Sequence, residues 1–432
     1  MNFYFDSDIF RGKKAGIYRY SKEMATRFYR DPEVNCRFVS SLGRAPAEFS
    51  EILPQLFGER AELYEMYASG EKGRPWARHA RDDFQATRAQ YASNPTFKNK
   101  LKREFARLRF NSENRNLEKF GAKFHFDGEC PVVFGPHNAL SEQFLNAVSP
   151  LFKVQVIYDL IPVLFKEYFD DTRVFDRAYD TLNRIDLVVT ISESTRADLL
   201  RLRPDLNANQ VVSIPLAASD HFVPVEDPSR ISDVKNKYGI PHDSDYLFTV
   251  STVEPRKNQL GLVEAWSRVY KDLKMNNPKL VIAGRRGWGK NYLAQLEGHD
   301  EIDNTVIFTG FVEDEDLPVL YAGSLLTAYP SFYEGFGIPV LESMGCGRFC
   351  VTSNTSSIPE IVGEGYPLVD PKSVDEIASL IVKGVNDDAF RQKMEHYCAE
   401  RVKLFSWDKT YKRTKDVIQS HATKYFQSLG GA

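Results

Sequence analysis

Short apolar runs alternate with amphipathic stretches along most of this chain, and that alternation is what most constrains its fold. The apolar runs have the length and composition of buried strands, and the stretches between them have helical spacing. Alternating strands and helices favour a parallel sheet covered by helices, an α/β fold. In the first half the predicted strands are residues 2–5, 131–134, 154–158, 187–191 and 211–214.

A second α/β series follows a break at residues 222–231, where two prolines and an aspartate interrupt the periodicity. Because single cores rarely exceed ~250–300 residues, a chain of 432 residues is expected to hold two domains. We therefore predict two doubly wound, Rossmann-like domains facing across a cleft, with ligands bound beyond the carboxyl ends of the strands. The predicted strands of the second series are residues 246–251, 280–283, 306–309, 325–329 and 349–353.

The predicted first domain covers residues 1–228 and the second 229–405, with a C-terminal helix at 406–432 that packs back towards the first. Residues 47–120 are charged, poor in glycine and predicted to be a mostly helical insertion. Within 71–120, thirteen Lys and Arg face six Asp and Glu, and apolar side chains lie among the cations. Such a segment either lies on anionic lipid or packs on the first domain with a solvated basic face. Both interpretations remain open.

Composition excludes several other classes of protein. The net charge of −3 gives no indication of a nucleic acid partner. Five cysteines without CxxC spacing indicate reduced thiols in a cytoplasmic protein, with no metal site. No apolar run approaches the ~18–20 residues of a membrane span, and the N-terminus lacks the order of a signal peptide. We expect a cytoplasmic protein whose contact with a membrane, if any, is peripheral.

The segment at residues 330–342, PSFYEGFGIPVLE, has more candidate ligand-binding residues than any other segment of its length in the chain. Gly335 and Gly337 let the backbone turn tightly, and the proline after them suits the first turn of a helix, whose N-terminus attracts phosphate. Eight helical residues would advance roughly 12 Å and end about 80° off the starting face. We therefore predict that Glu334 lies in the loop and Glu342 on the helix, where they contact different parts of one extended ligand.

Two adjacent cations, Arg256 and Lys257, follow the predicted strand at 246–251 and precede a helical stretch. The guanidinium can hold phosphate oxygens in a fork and the ammonium supplies a point charge, so the pair suits a diphosphate. Taken alone, the same residues are equally consistent with a solvated basic turn.

Together these motifs resemble the family 4 glycosyltransferases (glycosyl transferases group 1), retaining enzymes of the GT-B architecture. The resemblance covers most of the chain outside 47–120. It includes the Glu-x7-Glu signature at Glu334 and Glu342, and the Glu-Pro-Arg-Lys-Asn segment at 254–258, typical of the branch that builds bacterial polysaccharides. Further matches occur in the family's order at residues 186–194, 282–284, 308–312 and 353–360.

The resemblance implies roles for individual residues. Glu342 should bind the ribose hydroxyls and Glu334 the hydroxyls of the transferred sugar, while Arg256 and Lys257 neutralise the diphosphate. Backbone near the donor sugar, the phosphates or the base is expected from Gly16, Gly310, Phe311, Val312, Gly335, Phe336, Gly337 and Ile338.

Two further positions follow from the resemblance. His137 falls where the family often has a histidine facing the donor sugar, although a lone histidine is as often structural. Asp159 follows a predicted strand and is expected to contact acceptor or sugar. Its neighbour Tyr158 stands where the family often has histidine, and we assign it no role.

The implied activity is retaining, metal-independent hexosyl transfer from a nucleotide-sugar to a glycan or lipid-linked glycan in polysaccharide or lipopolysaccharide synthesis. No cofactor is expected. GDP-mannose is the first expectation for the donor, and dTDP-rhamnose and UDP-sugars remain open. Three alternatives are a metal-dependent GT-A transferase using Asp6 and Asp8, a nucleotide-sugar epimerase of the same fold, and a non-catalytic nucleotide-sugar-binding scaffold. A dehydrogenase is disfavoured because no GxGxxG follows the first strand.

Overall fold

The computed structural model describes most of the chain in two compact units. The first unit comprises Met1–Gln155, Arg173–Val188 and Asp416–Ala432, and the second Val156–Thr172 and Val189–Lys415. The described residues are 1–11, 16–39, 52–58, 61, 102, 105, 129–136, 139–147, 149–166, 172–285, 287, 292, 296 and 304–430.

The first sheet has six strands in the order β2-β1-β3-β4-β5-β6. Strand β1 pairs in parallel with β2 and β3, and β3 with β4. Five of the six strands were predicted to within two residues; β2 was missed because only its last two residues are buried. The strands are β1 (Asn2–Asp6), β2 (Asn35–Val39), β3 (Val132–Gly135), β4 (Phe152–Ile157), β5 (Leu187–Thr190) and β6 (Val211–Ser213).

The second sheet has five strands in the order β11-β10-β7-β8-β9, with parallel pairing throughout. All five were predicted to within one residue at each end, and the expectation of two doubly wound α/β sheets is confirmed. The strands are β7 (Tyr246–Val250), β8 (Lys279–Ala283), β9 (Val306–Gly310), β10 (Leu326–Tyr329) and β11 (Cys350–Thr352).

Helices connect the strands of both sheets. The helices of the first half are α1 (Gly16–Arg30), α2 (Ile52–Phe57), α3 (Glu142–Leu145), α4 (Ile161–Leu164), α5 (Arg173–Asp180) and α6 (Glu193–Leu202). Those of the second half are α7 (Pro228–Lys237), α8 (Gln259–Val269), α9 (Leu317–Gly323), α10 (Ile338–Gly345), α11 (Ile358–Val362), α12 (Val374–Asn386), α13 (Asp388–Arg401) and α14 (Trp407–Gly430).

The order of strands in the second sheet reverses at β7. Strands β8 and β9 follow it on one side, and the later strands β10 and β11 lie on the other. The carboxyl ends of β7 and β10 are therefore neighbours, although the two strands are far apart in sequence. In open α/β sheets ligands bind at such a reversal, outside the carboxyl ends of the strands.

The predicted domain boundary near residue 228 falls between the last strand of the first sheet and the first strand of the second. The compact units divide the chain differently, because residues 189–228 group with the second unit; the boundary stays a prediction. The end of α14 groups with the first unit, where the Tyr425 and Phe152 rings lie 5.6 Å apart. Most of the insertion at 47–120 lies outside the described residues. In the described part of the chain, no helix is both long and apolar enough to span a membrane.

Candidate active site

The loop after β7 and the loop after β10 are joined by backbone and side-chain hydrogen bonds. Strand β7 leads into a single 3-10 turn, Pro255–Lys257. Asn258 follows with φ of 57°, and its side-chain amide donates to the Pro330 carbonyl at 3.0 Å. The Phe332 amide donates to the Arg256 carbonyl at 2.9 Å. These bonds hold the cationic turn against the segment that carries the first glutamate.

Lys257 and Glu334 form a buried ion pair at this junction. The Lys257 ammonium donates to both carboxylate oxygens of Glu334, at 2.7 and 2.9 Å, and to the Tyr329 hydroxyl at 2.6 Å. Its side chain is 11% exposed and that of Glu334 is 8% exposed. Because an ammonium has three N–H donors, all of them are used within the protein.

Arg256 joins the same cluster from the other side. Its guanidinium lies 3.0 Å from Glu334, donates to Glu254 at 2.5 Å, and donates to the Tyr333 carbonyl at 2.5 Å. Two cations therefore share two carboxylates, and the charges of the four side chains balance. An incoming anion must displace a carboxylate from these cations or bind at their remaining open edge.

The cluster perturbs the ionisation of its members. Burial alone would raise the pKa of Glu334, but attraction to Lys257 and Arg256 outweighs it and lowers that pKa to about 2. Burial lowers the pKa of Lys257 despite the opposing attraction of Glu334. Burial would also lower the pKa of Arg256, yet Glu334 and Glu254 raise it. Glu334 is thus ionised at neutral pH.

Asp159, which follows β4, lies beside this cluster, and its expected contact with acceptor or sugar stays a prediction. Burial raises the pKa of Asp159, while its hydrogen bond from the Ile161 amide and the charge of Arg256 oppose that rise. Gly335 approaches the same segment closely, since a Cβ there would overlap the Tyr158 carbonyl oxygen and lie 2.9 Å from the Asp159 Cβ. The glycine is required by this close approach of two backbones.

Hydroxyl groups fix the backbone of the glycine loop. Ser192 donates to the Gly335 carbonyl at 2.7 Å, and Thr195 donates to the same oxygen at 3.2 Å. Ser357 donates to the carbonyls of Glu334 and Phe336. Three hydroxyl groups thereby hold the backbone of the loop that carries Glu334.

Helix α10 begins at Ile338, after Gly337 with φ of 107°. The first amides of a helix have no partner within it, and its positive dipole end favours phosphate. Glu342 lies within this helix, is 5% exposed, and accepts a hydrogen bond from the Tyr321 hydroxyl at 3.1 Å. Glu334 lies in the loop and Glu342 on the helix, as predicted.

The remaining predicted positions lie elsewhere. Gly310, with φ of 68°, ends β9, and Phe311 and Val312 follow it, the first 47% exposed and the second buried. Gly16 is the first residue of α1 in the first unit. His137 lies outside the described residues.

Sequence reasoning missed the residues that support the cluster. Glu254 stood within the quoted Glu-Pro-Arg-Lys-Asn segment, but without a known partner it had no role. Tyr329 is the last residue of β10, a position that the rule of carboxyl strand ends could have singled out. Ser192 stood within the matched segment 186–194 but had no assigned role, and Thr195 carried no signal, because the partner of both hydroxyls is the distant Gly335 carbonyl.

Comparison with protein families gives a match at residues 231–401 to the model described as "Glycosyl transferases group 1". The chain is 33% identical over 280 residues to the O-antigen chain mannosyltransferase B of Escherichia coli, covering 64% of this chain and 71% of that protein. It is 30% identical over 263 residues to the serotype-specific mannosyltransferase WbdA of Escherichia coli, covering 60% of this chain. That match spans about a third, 32%, of WbdA.

Solved structures share the fold across nearly the whole chain. Anabaena Alr3699/HepE, solved in complex with UDP and glucose, has a TM-score of 0.63 at 18% identity, covering 97% of this chain and 99% of that one. WaaG, a glycosyltransferase involved in lipopolysaccharide biosynthesis, has a TM-score of 0.57 at 14% identity, with coverage of 97% and 99%. At these identities the similarity shows the fold alone. The 33% identity to mannosyltransferase B over 71% of that protein, together with the family match, shows the family as well. This chain belongs to the glycosyl transferases group 1 family.

Proposed function

We propose that this glycosyltransferase transfers a mannosyl group, with retention, from GDP-mannose to a glycan or lipid-linked glycan at the cytoplasmic face of a membrane. The observation that carries the proposal is the buried cluster of Lys257, Arg256 and Glu334 at the strand reversal of the second sheet. The names of the relatives support mannose and O-antigen synthesis.

The cluster suggests how the donor diphosphate binds. All three Lys257 donors are used by Tyr329 and Glu334. A diphosphate therefore takes the place of the Glu334 carboxylate on Lys257, and charge-assisted hydrogen bonds to phosphate replace those to carboxylate. The displaced carboxylate then becomes available to the hydroxyls of the transferred sugar. Donor binding thus exchanges the Glu334 carboxylate on Lys257 for the diphosphate and releases Glu334 in the same step.

The same cations serve the chemical step. As the bond between the anomeric carbon and the phosphate oxygen breaks, negative charge grows on the diphosphate and positive charge on the sugar ring. Lys257, Arg256 and the N-terminus of α10 stabilise the leaving group, the main electrostatic contribution that the protein offers. The acceptor hydroxyl attacks from the face that the diphosphate leaves, and its proton passes to a phosphate oxygen. We assign no protein nucleophile.

The test is an assay of purified protein with GDP-mannose, dTDP-rhamnose and UDP-glucose, each with and without a lipid-linked oligosaccharide acceptor. We expect product from GDP-mannose only when acceptor is present, with the α configuration at the new linkage by NMR and undiminished activity in chelator. Formation of an epimer or free sugar without acceptor would identify an epimerase. Donor binding without turnover on any acceptor would identify a non-catalytic scaffold.

A further inference from the structure

An exposed cation–π pair lies at the carboxyl edge of the second sheet, beyond the cluster already described. The Arg285 guanidinium lies over the Phe311 ring, 4.2 Å from its centroid. Arg285 is exposed, and 47% of the Phe311 surface is exposed. Among the described residues, the Arg285 side chain has no ion pair or hydrogen bond. Its N–H edge is therefore available to a ligand.

The backbone that carries Arg285 is held firmly. The Gly284 amide donates to the Gly310 carbonyl at 2.8 Å, and the Val253 amide donates to the Arg285 carbonyl at 2.9 Å. Gly284 has φ of 141°, and a Cβ there would overlap the Ser251 carbonyl. Only glycine fits at this position, so the path of the backbone out of β8 is fixed. That path places Arg285 between the turn after β7 and Phe311 after β9.

Strand order sets the spacing of these groups along the sheet edge. Phe311 follows β9, Arg285 follows β8, and the cations Arg256 and Lys257 follow β7, the next strand. Neighbouring strands lie about 4.8 Å apart, so the distance from β9 to β7 is roughly 10 Å. A nucleoside diphosphate separates its base from its phosphates on this scale. With the diphosphate at β7, the base lies at the ends of β8 and β9.

Resting on the proposed function, we infer that Arg285, positioned by Phe311, reads the guanine base of the donor. A guanidinium donates two parallel N–H bonds to the adjacent O6 and N7 acceptors of guanine. The corresponding edge of uracil or thymine has a single acceptor, O4. The pair therefore favours a guanine nucleotide over a pyrimidine nucleotide, and the exposed ring of Phe311 adds a surface on which any base can stack.

The experiment measures dissociation constants of GDP, UDP and 7-deazaguanosine diphosphate by calorimetry for wild type, Arg285→Ala and the control Arg268→Ala. Arg268 is an exposed arginine on α8 paired with Glu264 and Asp375. Arg285→Ala should weaken GDP binding about 5- to 150-fold, the range for one bidentate arginine–guanine contact. UDP binding should change less than about threefold, and Arg268→Ala should change neither.

The 7-deaza analogue supplies the sharper comparison, because it lacks the N7 acceptor. Wild type should bind it more weakly than GDP, and Arg285→Ala should bind the two equally. Equal losses for GDP and UDP, or a penalty for the analogue that persists in Arg285→Ala, would overturn the inference while leaving the proposed donor intact. A wild-type protein that binds UDP or dTDP in preference to GDP would overturn the donor proposal as well.

Discussion

Glu334 occupies the place on Lys257 that the donor diphosphate needs, and this exchange makes an unusual prediction for Glu334→Gln. Removing the carboxylate charge leaves Arg256 paired with Glu254, while Lys257 loses the carboxylate to which it donates. We expect GDP, which lacks the transferred sugar that Glu334 would contact, to bind several-fold more tightly to the variant, as measured by calorimetry. Transfer from GDP-mannose should fall at least ~100-fold, as for loss of a transition-state contact.

The matched control is Glu264→Gln, which removes an exposed carboxylate paired with Arg268 on α8. It should leave both GDP affinity and turnover unchanged. If Glu334 contacted only the transferred sugar of the donor, GDP affinity would be the same in Glu334→Gln and wild type. Weaker GDP binding in a folded Glu334→Gln protein would contradict the exchange.

The depressed pKa of Glu334 also predicts how stability depends on pH. The folded protein holds this carboxyl at a pKa of about 2, below the ordinary value of 4.5, so the unfolded chain binds the proton more readily. The stabilisation is therefore complete above about pH 5 and is lost as pH falls from 4.5 towards 2, by an amount on the order of a few kcal/mol. Denaturant unfolding at stepped pH measures it. Glu334→Gln should remove part of this acid-induced loss, and an unchanged pH dependence would contradict the assignment.

The loop after β10 is the element on which the site depends, and Gly335 is its tightest point. In Gly335→Ala the added methyl would overlap the Tyr158 carbonyl, so the loop must shift and carry Glu334 with it. We expect destabilisation of about 1–3 kcal/mol, typical of overpacking, and a loss of turnover of about 100-fold, typical of a misplaced catalytic group. Thermal unfolding and steady-state kinetics measure the two effects.

Gly239→Ala is the control for that substitution. Gly239 has φ of 70° and nothing within 4 Å of its added methyl, so the change strains the backbone without touching the site. It should destabilise by roughly 1–2 kcal/mol and leave turnover near normal. Equal turnover in the two variants would mean that the close approach at Gly335 does not position Glu334.

The sequence predicted the elements that have local signals, but it did not predict contacts between residues that only the strand order brings together. The strands of the second sheet and the loop-then-helix placement of Glu334 and Glu342 follow from periodicity, glycine and proline. The pairing of Lys257 with Glu334 does not, because it requires β7 beside β10, and strand order is set by tertiary packing. The contact of Tyr329 with Lys257 can likewise be predicted only when that order is known. Arg285 and Phe311 likewise meet only because β8 neighbours β9.

Across the whole molecule, charge is unevenly distributed along the chain. Residues 71–120 carry thirteen Lys and Arg against six Asp and Glu, a balance of +7; since the total is −3, the other 382 residues carry −10. Near an anionic membrane surface each Lys or Arg contributes about 1 kcal/mol, so this segment would draw an otherwise acidic protein to the lipid. A lipid-linked acceptor would then be presented at high local concentration.

The prediction is that the full chain co-sediments with vesicles containing anionic lipid, more weakly with neutral vesicles, and less as salt rises. Replacing Lys102, Arg103, Arg107 and Arg109 with glutamine should lower the partition coefficient about a hundredfold or more, given four lost cations. The control removes four exposed cations from the C-terminal region, Lys403, Lys409, Lys412 and Arg413, and should lower it far less. Equal partition into neutral and anionic vesicles would instead assign the basic face to solvent. In that case activity on a water-soluble acceptor should match activity on the lipid-linked one.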